Sequence, residues 1–255
     1  MERRMRRMLT AVVAGLLTLS LGTAAPVWAS ESDDAAVAYA RGDYATAMRL
    51  WRPHAEQGQA FAQFAVGDLY EYGLGVPQDY AEAMRWYRKA AEQGERMAEC
   101  NLGLMYYLGR GTSRDYTEAM KWLGRAAAHG DRLAQGYLGS MYANGEGVPR
   151  DYTEAMKWLG RAATQGDPRA QDYLGSMYEN GESVPQDYVQ AAKWFNLAAA
   201  NFFSAAKFAD SKKSLANRDR VASKMTAGQI KEAKKLAREW KPMHEPKPKS
   251  DGGEN

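Results

Sequence analysis

The chain has 255 residues, with 34 Lys and Arg against 31 Asp and Glu. The first 29 residues contain four Arg and one Glu, so the rest of the chain carries 30 residues of each sign and a net charge near zero. This balance argues against nucleic-acid binding, which needs basic residues clustered on one surface. Cys100 is the single cysteine, so no intramolecular disulfide can form and stability must come from packing.

Residues 1–29 have the three-part pattern of an export signal. Four Arg precede an apolar run from Leu9 to Ala25, and Val27-Trp28-Ala29 places a cleavage site between Ala29 and Ser30. The run has 17 residues, whereas a membrane-spanning helix needs about 20. We expect cleavage rather than the alternative, an uncleaved anchor. The mature chain would then have no stable membrane insertion and would be periplasmic or secreted from a bacterium.

An Asp-Tyr pair recurs at a fixed interval of 36 residues, beginning at Asp43, Asp79, Asp115, Asp151 and Asp187. Each interval contains two apolar patterns separated by Gly. In the interval from Asp151, Ala155, Trp158, Leu159 and Ala162 lie on one face of a helix. Two helices per interval are therefore predicted, with a lead-in over 30–42 and four full repeats over 43–186. We number these repeats 1 to 4.

Two further features of the repeats predict local structure. Asp79 with Glu82 has the spacing of a capping box, and Asp115 with Glu118 and Asp151 with Glu154 repeat it. A glycine also stands inside each second helix, where it costs about 1 kcal/mol relative to Ala. Close approach of a neighbouring helix would explain that glycine, which occurs at Gly67, Gly103, Gly139 and Gly175.

The two ends of the repeat array depart from this pattern. Repeat 1 has Leu50 where later repeats have Trp, and Pro53 lies inside its first helix, so we expect a kinked N-terminal cap. Residues 187–240 read as a degenerate fifth repeat followed by C-terminal capping helices, with a capping box at Thr226 and Gln229. Residues 241–255, with three Pro and two Gly, are expected to be disordered.

Residues 79–114, DYAEAMRWYRKAAEQGERMAECNLGLMYYLGRGTSR, resemble a Sel1-like repeat, a relative of the tetratricopeptide repeat. The segments AEAMRWYRKAAEQG and NLGLMYYLGRG carry the resemblance. It implies an all-α protein, a right-handed α/α superhelical solenoid of helix-turn-helix repeats whose first helices line the concave face. It also implies a scaffold that binds another protein or an extended peptide, rather than an enzyme. We expect a monomer.

The sequence shows no motif for metal, cofactor or covalent chemistry. None of His54, His129 and His244 has a partner at metal-ligand spacing, and the glycine-rich loops lack the Lys-Ser/Thr of a phosphate-binding loop. We therefore predict no catalytic, metal or cofactor-binding residue. Two alternatives remain open. One is a cell-envelope enzyme of the β-lactamase or penicillin-binding type described for cysteine-rich relatives, which carry paired cysteines; the other is a peptidoglycan-associated envelope protein.

The candidate binding residues form a series that we call the basic ladder. A cation stands at the seventh position of every repeat, and a second follows four residues later in the three central ones. The members are Arg49, Arg85, Lys121, Lys157, Lys193, Lys89, Arg125 and Arg161. They lie off the apolar stripe, so they could recognise an acidic or extended peptide. Alternatively they form a solvated face and pair with Glu three positions earlier, each pair contributing about 0.2–0.5 kcal/mol.

Overall fold

The computed structural model describes residues 27–242, with side chains from residue 34. The predicted tail beyond residue 242 and nearly all of the predicted signal lie outside the described residues. Within 27–242 the structure has twelve α-helices and no strand, which confirms the all-α class. The helices are α1 (Val27–Arg41), α2 (Tyr44–Glu56), α3 (Ala60–Tyr72), α4 (Tyr80–Glu92), α5 (Arg96–Leu108), α6 (Tyr116–Ala128), α7 (Arg132–Asn144), α8 (Tyr152–Thr164), α9 (Pro168–Asn180), α10 (Tyr188–Ser204), α11 (Phe208–Ala222) and α12 (Ala227–Glu239).

The helices pack consecutively, as the repeat pattern predicts for a solenoid. The first helices of the four full repeats are α2, α4, α6 and α8, and the second helices are α3, α5, α7 and α9. A second helix packs against its own first helix and also against the first helix of the next repeat, as α3 does on α4 and α9 on α10. The chain divides into two compact bodies at Ala119/Met120, described separately below.

The core of the N-terminal body is built around the first repeat. Trp51 is 1% exposed and packs against Tyr39 of α1, with ring centroids 5.6 Å apart. Trp51 stands one residue after Leu50, so the first helix has its large aromatic side chain in the column that Tyr87 occupies in repeat 2. The predicted lead-in is thus a helix, α1, that covers α2. Helix α2 itself continues through Pro53, which lies in its last turn.

The core of the C-terminal body brings α8, α9 and α10 together and is closed by α11 and α12. Buried Leu159 and Leu174 belong to the same cluster as Trp194, and Trp240 at the end of α12 packs against this cluster. Helix α11 is tied to α9 by a bidentate ion pair from Arg220 to Glu179, with nitrogen–oxygen distances of 3.0 and 2.6 Å. The polar α11 is therefore positioned by charge as well as by packing.

The predicted helix caps are confirmed only in part. The Asp79 carboxylate accepts hydrogen bonds from the backbone N–H groups of Ala81 and Glu82, at 2.9 and 3.0 Å. The return bond of a capping box does not form, because the Asp79 N–H donates to the Tyr70 carbonyl of the preceding helix at 3.0 Å. Repeat 4 behaves in the same way. The backbone N–H that the box needs is already bonded to the preceding helix where the chain passes from one repeat to the next. At the start of α12, by contrast, Thr226 and Gln229 form a complete box.

The explanation for the mid-helix glycines is confirmed where neighbouring atoms are described. A Cβ at Gly67 would lie 2.7 Å from the Tyr87 ring, and one at Gly175 would lie 2.6 Å from the Phe195 ring. A Cβ at Gly139 would lie 2.7 Å from Leu159 Cγ. Ordinary carbon–carbon contacts are about 3.5–4.0 Å, so only glycine allows the next first helix to come this close.

Candidate binding surface

The first helices of the repeats present a polar stripe opposite their buried face. In α8, Ala155, Leu159 and Ala162 are buried, whereas Lys157 and Arg161 are exposed. The helical period separates the two sets of residues onto opposite faces. The ladder positions of α8 therefore reach solvent because the apolar positions are fixed in the core.

Tryptophan side chains organise the ladder cations of the C-terminal body. In α8 the Arg161 guanidinium lies 4.8 Å from the centroid of the Trp158 ring, and Lys157 Nζ lies 5.7 Å from it. In α6 the equivalent distances to the Trp122 ring are 4.9 Å for the arginine and 5.2 Å for the lysine. Each such contact contributes about 0.5–1 kcal/mol at an exposed site. In α6 and in α8 the ladder thus consists of a cation pair held around one indole ring.

The N-terminal body has the same arrangement in α4, with one difference. Lys89 Nζ lies 4.3 Å from the Trp86 ring, whereas Arg85 pairs with Glu82 at 2.6 Å. A shallow cavity of about 640 Å³ is lined by these side chains and by Arg88. Arg49 of α2 is exposed. The position after it holds Leu50, where the later repeats have Trp, so the equivalent indole is missing beside Arg49.

Lys193, the last ladder residue, differs from the others. Its Nζ lies 4.3 Å from the Trp194 ring, and it is half-buried. Burial lowers the pKa of its ammonium group. Ala237 of α12 and Trp240, which caps that helix, pack against the cluster that contains Trp194. The chain's own last helix therefore occupies part of the face that earlier first helices leave open.

The pairing with Glu three positions earlier is present at Arg85 and at Lys157. Arg85 contacts Glu82 at 2.6 Å, and Lys157 contacts Glu154 at 3.0 Å. These pairs are solvent-exposed, and exposed ion pairs usually contribute less than about 1 kcal/mol. They orient the cations, and an acidic partner could displace the Glu carboxylates at small cost.

Two glycines on the same stripe were not singled out by sequence reasoning. Gly160 lies three residues after Lys157 and directly before Arg161, and Gly124 occupies the same position in α6. A Cβ at either position would meet nothing within 4 Å, so packing inside the chain does not explain these glycines. Their signal in the sequence is the Leu-Gly-Arg that recurs in both repeats. They leave open space beside the cation pairs where another backbone could approach.

A buried acidic cluster in the N-terminal body was also missed. The Tyr87 hydroxyl donates to Asp68 Oδ1 at 2.5 Å and lies 2.7 Å from Glu71 Oε2. Burial raises the pKa of the Asp68 carboxyl well above its ordinary value and raises that of Glu71, which Tyr87 and Arg110 partly offset. The sequence signal was an Asp inside the apolar run of α3. Asp68 is 2% exposed and Tyr87 0%, so the cluster links α3 to α4 inside the core.

Other candidates for chemistry lie inside the protein. Cys100 is buried and forms no disulfide, and His54 is buried at the end of α2. Across residues 34–242, no group of three or more His, Cys, Asp and Glu side chains is placed to hold a metal ion. No helix in the described range combines the length and the apolar character that crossing a membrane requires.

The fold and the surface define the chain as an α-helical repeat protein of consecutively packed hairpins. The chain belongs to the Sel1 repeat family, whose repeat matches residues 60–95, 96–131, 132–167 and 168–201. These segments cover more than half of the chain. Their boundaries begin at second helices, so the family frame is offset by one helix from the Asp-Tyr frame. Sel1 repeat proteins generally act as protein-interaction scaffolds.

Solved structures with the same fold are similar over most of this chain. A protective antigen present in uropathogenic Escherichia coli strains, which displays an SLR fold, is 28% identical with a TM-score of 0.65, over 91% of this chain. The chain spans 55% of the length of that antigen. A Sel1 repeat protein from Oxalobacter formigenes is 28% identical with a TM-score of 0.63, over 82% of this chain and 96% of its own. A comparison with curated proteins finds no significant match.

Proposed function

We propose that the chain is an exported scaffold that binds an acidic or extended segment of another protein on the open stripes of its first helices. The observation that best supports this proposal is the arrangement in α8. There Lys157 and Arg161 flank the Trp158 ring, and Gly160 leaves space beside them. Carboxylates would meet the cations, and the partner backbone would lie over the glycine. The mechanism is recognition on a rigid frame, without covalent chemistry.

Electrostatics and helix geometry support this proposal together. The cations are fixed by stacking before a partner arrives, which lowers the entropy lost on binding. The exposed stripe recurs in α6 and α8 with Lys, Gly and Arg at identical positions, so one extended segment could use the same contact more than once. Multiple weak contacts of this kind raise the overall affinity.

The proposal can be tested with peptides displayed on phage and selected on the mature chain. We expect enriched sequences to be rich in Asp and Glu, with binding that weakens as salt rises. The double variant Lys157→Glu with Arg161→Glu should weaken binding of these peptides by about tenfold, equivalent to about 1.4 kcal/mol. Lys212→Glu with Lys231→Glu changes the net charge equally on exposed positions outside the ladder, and should bind normally. Enrichment of neutral peptides, or unchanged binding by the ladder variant, would refute the proposal.

The export component has its own test. We propose cleavage between Ala29 and Ser30 and residence in the periplasm or outside the cell, because residues 1–29 have the three-part signal pattern. Mass spectrometry of the protein recovered from a bacterial envelope fraction should give a mature chain that begins at Ser30. An intact N-terminus, or a protein confined to the cytosol, would contradict this component and leave the binding proposal to its own experiment.

A further inference from the structure

One position of the second helices differs strongly among the repeats. In repeat 1 it is Phe64, which is 4% exposed and whose ring stacks on the Tyr87 ring with centroids 5.9 Å apart. In repeat 2 it is the buried Cys100, and in repeat 4 it is Asp172, which accepts a hydrogen bond from α11 at 2.7 Å. In repeat 3 it is Gly136. Three repeats thus fill or bond this position with their own atoms, and repeat 3 does not.

The missing side chain leaves an apolar pocket in the C-terminal body. Gly136 of repeat 3 stands where repeat 1 has Phe64. In the repeat that follows each of them, Leu159 of α8 stands where α4 has Tyr87. The resulting pocket has a volume of about 200 Å³ between α7, α8 and α9. An apolar cavity of about 150 Å³ is enough to bind benzene. The pocket therefore has the size of one aromatic ring, the group that fills the equivalent space in repeat 1.

The walls and the rim of the pocket are held by hydrogen bonds. The Tyr173 hydroxyl donates to Asn144 Oδ1 at 2.9 Å, and the Tyr137 hydroxyl accepts from Arg169 Nη1 at 3.2 Å. The Arg169 guanidinium lies 6.0 Å from the centroid of the Tyr137 ring. Arg169 is exposed, and its side chain forms no ion pair within the described part of the chain. The rim therefore presents a cation without an ion-pair partner beside a mainly apolar pocket, whose lining also includes the carboxylate of Asp167.

We propose that this pocket binds an aromatic side chain of a partner polypeptide, and that Arg169 binds a carboxylate adjacent to that side chain. The ring would replace the missing aromatic side chain of repeat 3, and the carboxylate would neutralise the guanidinium. A polar cavity of about 510 Å³ shares Arg169 and Tyr173 with the pocket and gives the following residues of the partner a path along α9. The site is lined largely by second helices, so it is separate from the basic ladder and does not rest on it.

The experiment uses two probes on the whole mature chain. N-acetyl-L-phenylalanine carries the ring and the carboxylate, and its amide carries the ring alone. Both should shift the backbone amide resonance of Gly136 in NMR titrations at millimolar concentration, because a single ring gives only modest affinity. The acid should bind about threefold to tenfold more tightly than the amide, since its carboxylate forms a charged hydrogen bond with a partly solvated arginine. Absence of any shift, or equal affinities, would overturn the proposal.

Two variants locate the site. Gly136→Phe fills the pocket with the side chain that repeat 1 uses, and should abolish binding of both probes. Arg169→Gln should bring the affinity of the acid down to that of the amide. If Gly136→Phe lowers the unfolding midpoint, Gly136→Leu takes its place with the same expected loss. Retained binding by the folded, pocket-filled variant would overturn the proposal. The ladder variant Lys157→Glu with Arg161→Glu should bind both probes normally, so the two surfaces are tested independently.

Discussion

Replacing two glycines of α7 by alanine should change the stability of the protein in opposite directions. Gly136 and Gly139 lie three residues apart in the same helix, and each substitution adds one methyl group. In a helix interior, alanine is favoured over glycine by about 1 kcal/mol at both positions. Any difference between the two variants must therefore come from tertiary contacts, which makes each variant the control for the other.

The structure gives the magnitudes of the two effects. A Cβ at Gly136 would lie 3.8 Å from its nearest neighbour, Asp167 Oδ1, an ordinary contact. Gly136→Ala should therefore raise the free energy of unfolding by about 0.5–1 kcal/mol. A Cβ at Gly139 would lie 2.7 Å from Leu159 Cγ and 2.9 Å from the Leu159 backbone nitrogen. Because a backbone atom has to move, we expect the upper part of the usual overpacking cost, about 3 kcal/mol. The net destabilisation is then about 2 kcal/mol.

Urea unfolding followed by circular dichroism measures both variants at one temperature. The midpoints should differ in opposite directions from that of the wild type, with similar slopes. Tryptophan fluorescence should be recorded in parallel, because repeat proteins can unfold in more than one step. Two outcomes would refute the reasoning: a Gly139→Ala variant as stable as the wild type, or a destabilised Gly136→Ala variant. Either would show that the mid-helix glycine at position 139 does not set the distance between α7 and α8.

Two further predictions concern buried carboxyl groups whose pKa values are shifted in opposite directions. Burial raises the pKa of Asp68, so the unfolded chain loses this proton at a lower pH than the folded one and stability falls as pH rises above about 4. Asp68→Asn should increase stability relative to the wild type progressively as pH rises above about 4 in urea unfolding, and parallel pH curves would contradict this. The hydrogen bond from Arg220 lowers the pKa of Glu179. The ionised carboxylate therefore stabilises the folded chain above the ordinary pKa of Glu, and this stabilisation is lost as pH falls through the lowered pKa of Glu179. Glu179→Gln should cost about 1–2 kcal/mol at pH 7 and progressively less as pH falls below the ordinary Glu value, and a deficit that does not change with pH would point to packing rather than charge.

Much of the fold could be predicted because the repeats are local in sequence. A 36-residue period, Asp at the helix starts and apolar residues at helical spacing place the helices without any long-range information. The glycine that recurs inside each second helix also predicted close helix approach, because a residue that destabilises a helix would not recur at one position without a compensating contact. The capping box failed because its second bond depends on a donor that the preceding repeat already uses. That donor is the Asp79 N–H. It donates to the Tyr70 carbonyl of the preceding helix instead of forming the return bond with the helix that Asp79 caps.

The candidate site was predictable only as a list of cations. The sequence places Lys157 and Arg161 four residues apart, and this spacing puts both on one side of a helix. It does not show that both lie over Trp158, that Gly160 faces open space, or that α12 covers part of the face beside Lys193. Those facts depend on which neighbours fill the space around each side chain, and neighbours come from packing between helices.

The sequence by itself determined the repeating helical hairpins, because their signals lie within about a dozen residues of each other. Only the tertiary structure decided which equivalent positions are filled and which are left open. Phe64 and Gly136 occupy the same place in the period, yet one completes the core and the other opens a pocket. The reason is physical: helix formation is governed by local periodicity, whereas a cavity depends on the combined volumes of side chains from three helices.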